Sequence, residues 1–220
     1  MDYYYAMQID KRDFNHYYIS LIKKKQLILF TFFSTDDFNI YLIKISLFVC
    51  SFSVFFISNT FFFNDSNMHE IYENNGSYNF IYELPQIIYS ALISAVVNVI
   101  MRTLSLSENG VIKIKQLVKI NNMINQTFVM IKGFKIKIIF FNILGFILIF
   151  FAFYYVTMFC AVYKNTQIHL LKDLFTSFGL TLLYPFGLYL IPGFFRIPSL
   201  KSNNKNSLCL YRTSQLFSLI

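Results

Sequence analysis

The sequence predicts an all-α polytopic membrane protein, with about four transmembrane helices and interfacial amphipathic helices beside them. Three observations carry that prediction. Hydrophobic residues make up 56% of the 220 and charged residues only 14%, where average soluble domains carry about 25% charged residues. Four long stretches contain no Asp, Glu, Lys or Arg. Between those stretches, Lys and Arg fall almost entirely in alternate connections. So much Phe and Ile with so little charge is the opposite of a disordered composition. Three widely spaced cysteines exclude a disulfide-stapled scaffold.

A charge at the bilayer centre costs roughly 2.5–3.5 kcal/mol, and a span needs about 20 mostly apolar residues. The uncharged interval is therefore the useful ruler. The first, residues 45–64, reads ISLFVCSFSVFFISNTFFFN between Lys44 and Asp65. The second, 84–101, reads LPQIIYSALISAVVNVIM between Glu83 and Arg102. The third, 138–163, lies between Lys137 and Lys164; at 26 residues it exceeds the hydrocarbon layer and is expected to tilt or project beyond it. The fourth, 174–195, lies between Asp173 and Arg196. None alternates like a barrel strand, which leaves helices as the spanning form.

The opening MDYYYAMQIDKRDF has no positive region followed by an apolar core, so the first span is expected to act as its own insertion signal. Residues 26–33, QLILFTFF, are too short to cross. With Lys23, Lys24 and Lys25 beside them they read as an interfacial helix, a re-entrant segment being the alternative. The chain then divides into a cytosolic or interfacial segment (1–39), two spans with an acidic loop between them (40–104), a basic amphipathic loop (105–136), two further spans (137–197) and a cytosolic tail (198–220).

Charge sets the orientation. Six Lys and Arg residues lie at or before Lys44, none between spans one and two, seven between spans two and three, two between spans three and four, and four in the tail. Seventeen of nineteen share one side if both termini do, and the positive-inside rule makes that side the cytosol. The connection 65–83 holds acids alone and faces the lumen or exterior. In the long inner loop, Ile114, Leu117, Ile124, Phe128 and Ile131 recur at helical steps among Lys113, Lys115, Lys119 and Lys132. This predicts a basic amphipathic helix on the inner leaflet; a short coiled coil is the alternative, with Asn121 at an a-type position. Lys23, Lys24, Lys25, Lys113, Lys115 and Lys119 are the expected contacts to anionic headgroups.

Catalytic signatures are missing from the sequence: it has neither a nucleophile elbow nor a phosphate-binding loop. His69-Glu70-Ile71-Tyr72-Glu73 carries the first His and Glu of a zinc-protease helix without its second His. It reads as a solvated acidic loop. Cys50 and Cys160 lie within spans as packing residues, and Cys209 is a palmitoylation candidate or a plain thiol. We therefore expect no enzyme activity, no cofactor and no metal. Ser90, Ser94 and Asn98 step by four along span two beside Ala91 and Ala95. They predict a small-residue helix-packing face, with a pore lining as the alternative. Pro185 removes a donor inside span four, and a kink is expected there. Of two sequons facing the lumen, Asn75 in NNGS is the glycosylation candidate, since Asn64 lies against the membrane.

Several phrases also resemble a family of uncharacterised multi-span transmembrane proteins of ciliates. They include IDKRDFNHYYISLIKKKQLILFTFF, NDSNMHEIYENNGSYNFIYELPQIIYSALISAVVN, RTLSLSE and AVYKNTQIHLLKDLFTSFGLTLLYPFGLYLIPGFFRIPSL. The resemblance covers most of the chain and implies the membrane part of longer, receptor-like proteins with Cys-rich extracellular repeats. A fainter similarity links the basic stretch, the Phe/Ser-rich span, the acidic loop and the Ser/Ala/Val span ending in Arg102 to the first spans of polycystin and PLAT-type membrane proteins. It does not extend to the Arg-bearing sensor helix, pore helix or large extracellular domain of a complete channel.

The expected function is an integral membrane anchoring or assembly module; the alternative is a subunit of an ion channel or transport complex. Expected partners are the bilayer, its anionic inner-leaflet lipids, and membrane proteins or a second copy of this chain, not nucleic acid. The topology predicts that a glycosylation acceptor or protease site placed at Asn75 is reached from the lumen, and one at Asn121 from the cytosol. A lumenal Asn121 in a protease-protection assay would overturn orientation and span count together.

Overall fold

A computed structural model describes residues 3–35, 37–63, 65–74, 77, 79–106, 108–119, 124–164, 166–201 and 207–219. Every regular element among them is helical. The helices are α1 (Tyr3–Ile9), α2 (Phe14–Lys25), a π-helical turn (Leu29–Phe33), α3 (Tyr41–Phe62), α4 (Asp65–Glu73), α5 (Phe80–Ser105), α6 (Glu108–Lys119), α7 (Ile124–Val162), α8 (Gln167–Leu188), α9 (Leu190–Lys201) and α10 (Ser207–Leu219). Four helical stretches, built on α3, α5, α7 and on α8 continued by α9, are long and apolar enough to cross a membrane. The protein is thus all-α, with the composition of a polytopic membrane protein.

The chain divides into two compact units, one of residues 1–35 with 181–220, the other of residues 36–180. In the larger unit α3 is the central helix, packing on both α5 and α7. Half of its most apolar window is buried, against 17% of that of α7. Gly145 on α7 permits close approach: a Cβ there would sit 3.0 Å from the Cys50 sulfur of α3. Phe178 of α8 completes the packing against α3, its ring 5.3 Å from that of Phe52 and 5.5 Å from that of Phe55. At the end carrying α4, Phe63, Ile71, Phe159 and Leu170 form an apolar cluster drawn from four parts of the unit. At the other end, Lys44 is buried and paired with Asp37 at 2.5 Å, and Lys137 donates to the Leu106 carbonyl at 2.9 Å. The bounding lysines of spans one and three are thus consumed in internal contacts.

Three boundaries differ from the sequence reading. Ile124, Phe128 and Ile131 belong not to a separate loop helix but to α7, which runs unbroken for 39 residues across the expected boundary at 136/137. Gly133 is the one glycine next to that boundary, and one Gly costs too little to stop a helix. The acidic connection is partly helical, as α4. In span four the helix continues through Pro185 and is interrupted at Tyr189, whose N–H donates to the Pro185 carbonyl at 3.0 Å. The break therefore falls one turn beyond the proline.

In the smaller unit the beginning and end of the described chain are held together. Asp10 accepts from Arg12 at 2.7 and 2.8 Å and from Arg196 at 2.8 Å. The Arg196 guanidinium lies between the rings of Tyr17 and Tyr211, 5.1 and 5.0 Å from their centroids. Tyr3 donates to the Ser199 carbonyl and pairs with the Ser207 hydroxyl. Gly193 lets Phe14 approach α9, since a Cβ there would fall 2.6 Å from the Phe14 ring.

The hydrogen bond from Arg12, aided by Arg196, holds the Asp10 carboxyl well below the usual carboxylate range despite its burial. Burial raises the Tyr17 phenol. For Asp10 the folded value is depressed, so its contribution is complete above about pH 4 and is lost as pH falls through the lowered value. Asp10→Asn is expected to cost about 1.5–3 kcal/mol, as for a hydrogen bond to a charged group. Thermal unfolding should show that cost at pH 7 and little difference from wild type in strong acid. An unchanged melting point at pH 7 would contradict the latch.

Candidate functional site

Polar side chains in the apolar part of a bundle have protein as their available partner, so they collect where several helices can supply donors and acceptors together. At the α4 end of the larger unit, such a collection is drawn from four helices. Asn59 closes α3, Asn67 comes from α4, Glu83, Gln86 and Ser90 from the first turns of α5, and Asp173 and Ser177 from the first turns of α8. All seven are buried.

Asn59 is the hub. Its amide nitrogen donates to the Phe55 carbonyl and to the Ser177 hydroxyl, each at 2.8 Å. Its side-chain oxygen accepts from Ser90 at 3.1 Å, and its backbone carbonyl accepts from Gln86 at 3.4 Å. Gln86 also donates to Asp173 at 3.3 Å. Asn67 donates to Glu83 at 3.0 Å and to the Gln86 side-chain oxygen. The Asn59 and Gln86 amides both donate and accept, which suits the join between helices. Asn67 and Gln86 thus link the buried Glu83 carboxyl to the buried Asp173 carboxyl. His169, also buried, stands one turn before Asp173 on α8.

The expected packing face takes part in this knot. Ser90 and Ser94 are wholly buried, and Asn98 is half-buried. Ser90 joins α5 to α3, while the Ser94 hydroxyl and the Asn98 side-chain oxygen are buried with no hydrogen-bond partner. Pro185 is buried inside α8. The lysines are separate from the knot. Lys23, Lys24, Lys113 and Lys115 are exposed, with the Lys115 ammonium 3.8 Å over the Phe38 ring; Lys25 is half-buried, 5.9 Å over Tyr189. The Lys119 side chain, Asn75 and Asn121 lie outside the described residues. His69 pairs with Glu73 at 3.0 Å on an exposed face. Among the described residues no group of three His, Cys, Asp or Glu side chains converges as for a metal.

A groove between α3 and α7, lined by Phe52, Phe56, Ile149 and Phe153, is apolar. Its two hydroxyls turn back to their own helices, Ser53 to the Val49 carbonyl and Thr157 to the Phe153 carbonyl. It has no polar group aimed at a ligand.

Glu83 and Asp173 were read from sequence as span boundaries, and that reading missed their burial in the knot. A signal for Glu83 was present: it stands seven and eleven residues before Ser90 and Ser94, which places all three on one stripe of α5. No family model, curated protein or solved structure matches the chain.

Asn59→Leu keeps the branched shape but leaves Ser90 and Ser177 short of a partner, while the backbone carbonyl that accepts from Gln86 remains. Interhelical bonds in membranes average roughly 0.6 kcal/mol, with a maximum near 1.7. With three helices meeting at one side chain, the loss is expected near the upper end, about 1–2 kcal/mol, in reversible unfolding from mixed micelles. Ser53→Ala, whose hydroxyl bonds its own helix, is the control and should be nearly silent. Equal tolerance of both would contradict the hub.

Proposed function

We propose that this chain is an integral membrane anchoring or assembly module without catalytic activity, crossing the bilayer four times with both ends in the cytosol. One observation carries the reading: the small and polar face of α5 is wholly buried at Ser90 and Ser94 and bonded across to α3. That is the arrangement of a packing face. Large apolar residues such as Phe146, Phe150 and Phe153 remain exposed on α7 for lipid or a membrane-protein partner. Residues 3–17 bond to residues 196–211 within one unit, which favours placing both ends on one side of the membrane. The exposed Lys23, Lys24, Lys113 and Lys115 favour anionic inner-leaflet lipids as partners, at about 1 kcal/mol each. The resemblance to multi-span ciliate proteins extends this reading to the membrane part of a larger receptor-like protein.

A second reading, a subunit of an ion channel or transport complex, is favoured by one specific observation. Glu83 and Asp173 are buried inside a bundle, and ionisable groups so placed commonly mark ion pathways.

Ser94 tests the first reading. Ser94→Leu adds bulk to a dense contact, which typically costs about 1–3 kcal/mol, whereas Ser94→Ala keeps the volume. Leu should lower folded yield and detergent stability while Ala leaves both nearly unchanged. Equal tolerance would show that this face meets lipid, and the packing account would fall.

A further inference from the structure

The helix that carries span three does not stop at the end of its uncharged interval. Lys137, which bounds that interval, is tied to the Leu106 carbonyl just past α5, yet α7 continues back to Ile124 without a break. Phe128 lies nine residues before Lys137, about 13 Å further along the helix. The headgroup layer adds only about 5–8 Å to each side of the hydrocarbon, and an ordinary tilt shortens the rise little. On the four-span reading this extension therefore stands in water, beyond the reach of lipid.

One stripe of the extension is uncovered. Phe128, Ile131, Lys132, Lys135 and Ile136 recur at the three- and four-residue steps of a single helix face. All five are exposed, the three apolar ones at 59%, 40% and 67%. The other side of the helix packs on α6, where Gly110 leaves room for the Phe134 ring. Large apolar side chains gathered on one exposed face mark a contact surface. The Lys132 ammonium lies 4.8 Å over the Phe128 ring, so charge and apolar surface form one patch. No Asp or Glu falls between Glu108 and Asp173. The same stripe on a second copy would set lysine against lysine, whereas an acidic partner meets complementary charge.

We propose that this stripe docks an acidic amphipathic helix of another protein. The partner's apolar residues seat on Phe128, Ile131 and Ile136, and its carboxylates lie beside Lys132 and Lys135. Anchors spaced along one face by three to five residues are the pattern by which helices are recognised. The proposal rests on the four-span reading and goes beyond it, since the anchored module gains a soluble partner.

The full chain in phosphatidylcholine nanodiscs would be titrated with a fluorescent synthetic helix carrying Leu along its seam and Glu on its flanks. Fluorescence anisotropy should show saturable binding that weakens with added salt, and empty nanodiscs should show none. Phe128→Ser and Ile136→Ser should each weaken binding about tenfold, as for the loss of one buried apolar side chain. Lys132→Gln combined with Lys135→Gln should weaken it severalfold and flatten the salt dependence. Lys24→Gln, exposed elsewhere, should change nothing. All these side chains are exposed, so the variants should unfold at the wild-type midpoint; should a serine variant fold poorly, the lysine pair decides. Three results overturn the proposal: no saturable binding, binding kept by both serine variants, or equal binding of the same peptide with Lys in place of Glu. Nanodiscs containing phosphatidylserine decide between protein and lipid. Unchanged affinity there supports the docking surface, whereas lost binding would show the stripe lying on the leaflet and overturn it. Nanodiscs expose both membrane faces, so the titration is independent of orientation. A lumenal inner loop in the protease-protection assay would overturn the orientation alone and leave the docking result standing.

Discussion

Asn59 sits in the last turn of α3, and its amide is bonded to groups from its own helix, from α5 and from α8. Apolar side chains attract one another little more than they attract lipid tails, so apolar burial alone sets neither the register nor the partners of a membrane helix. A buried amide does both, because it has few positions in which all its donors and acceptors are met. The other contacts of the larger unit follow from that registration. Phe178, one residue beyond Ser177, reaches Phe48, Phe52 and Phe55 of α3. Ser94, one turn beyond Ser90, is sealed within the unit. The apolar cluster around Phe63 and Leu170 stands beside the knot and helps keep water from it.

The smaller unit relies on a different interaction. Asp10 serves two arginines, and the buried one, Arg196, lies between two tyrosine rings. A carboxylate bonded this way is stable across the physiological pH range, so this tie is permanent and not a pH-operated switch. Its consequence is topological: residues near both ends of the chain share one packed unit.

Much of the architecture was legible in the sequence because charge avoidance in lipid is strong and local. The uncharged interval 45–64 corresponds to Tyr41–Phe62, and 84–101 falls inside Phe80–Ser105. The same ruler hid the site. Glu83 and Asp173 bound their intervals, so a rule that treats charge as an edge assigns them to water, whereas neutral amides allow them to fold inward. Asn59 lay within an interval and looked like one polar residue in an AT-biased composition; its partner Ser177 is 118 residues away, a pairing no single-sequence period encodes. The Asp10–Arg196 contact spans 186 residues and was illegible for the same reason. The α6–α7 region was misdivided because the amphipathic repeat runs into span three with only Gly133 to mark the change.

The central claim is that α3 and α8 are registered by a direct bond between Asn59 and Ser177. A double-mutant cycle measures that bond with the background effects of each side chain removed. Asn59→Ala, Ser177→Ala and the double variant would be unfolded reversibly in the same mixed micelles. The account predicts a coupling of about 0.6–1.7 kcal/mol, the range of real interhelical hydrogen bonds in membranes. Additivity within about 0.3 kcal/mol would mean that the two side chains act independently, and the registration argument would be wrong.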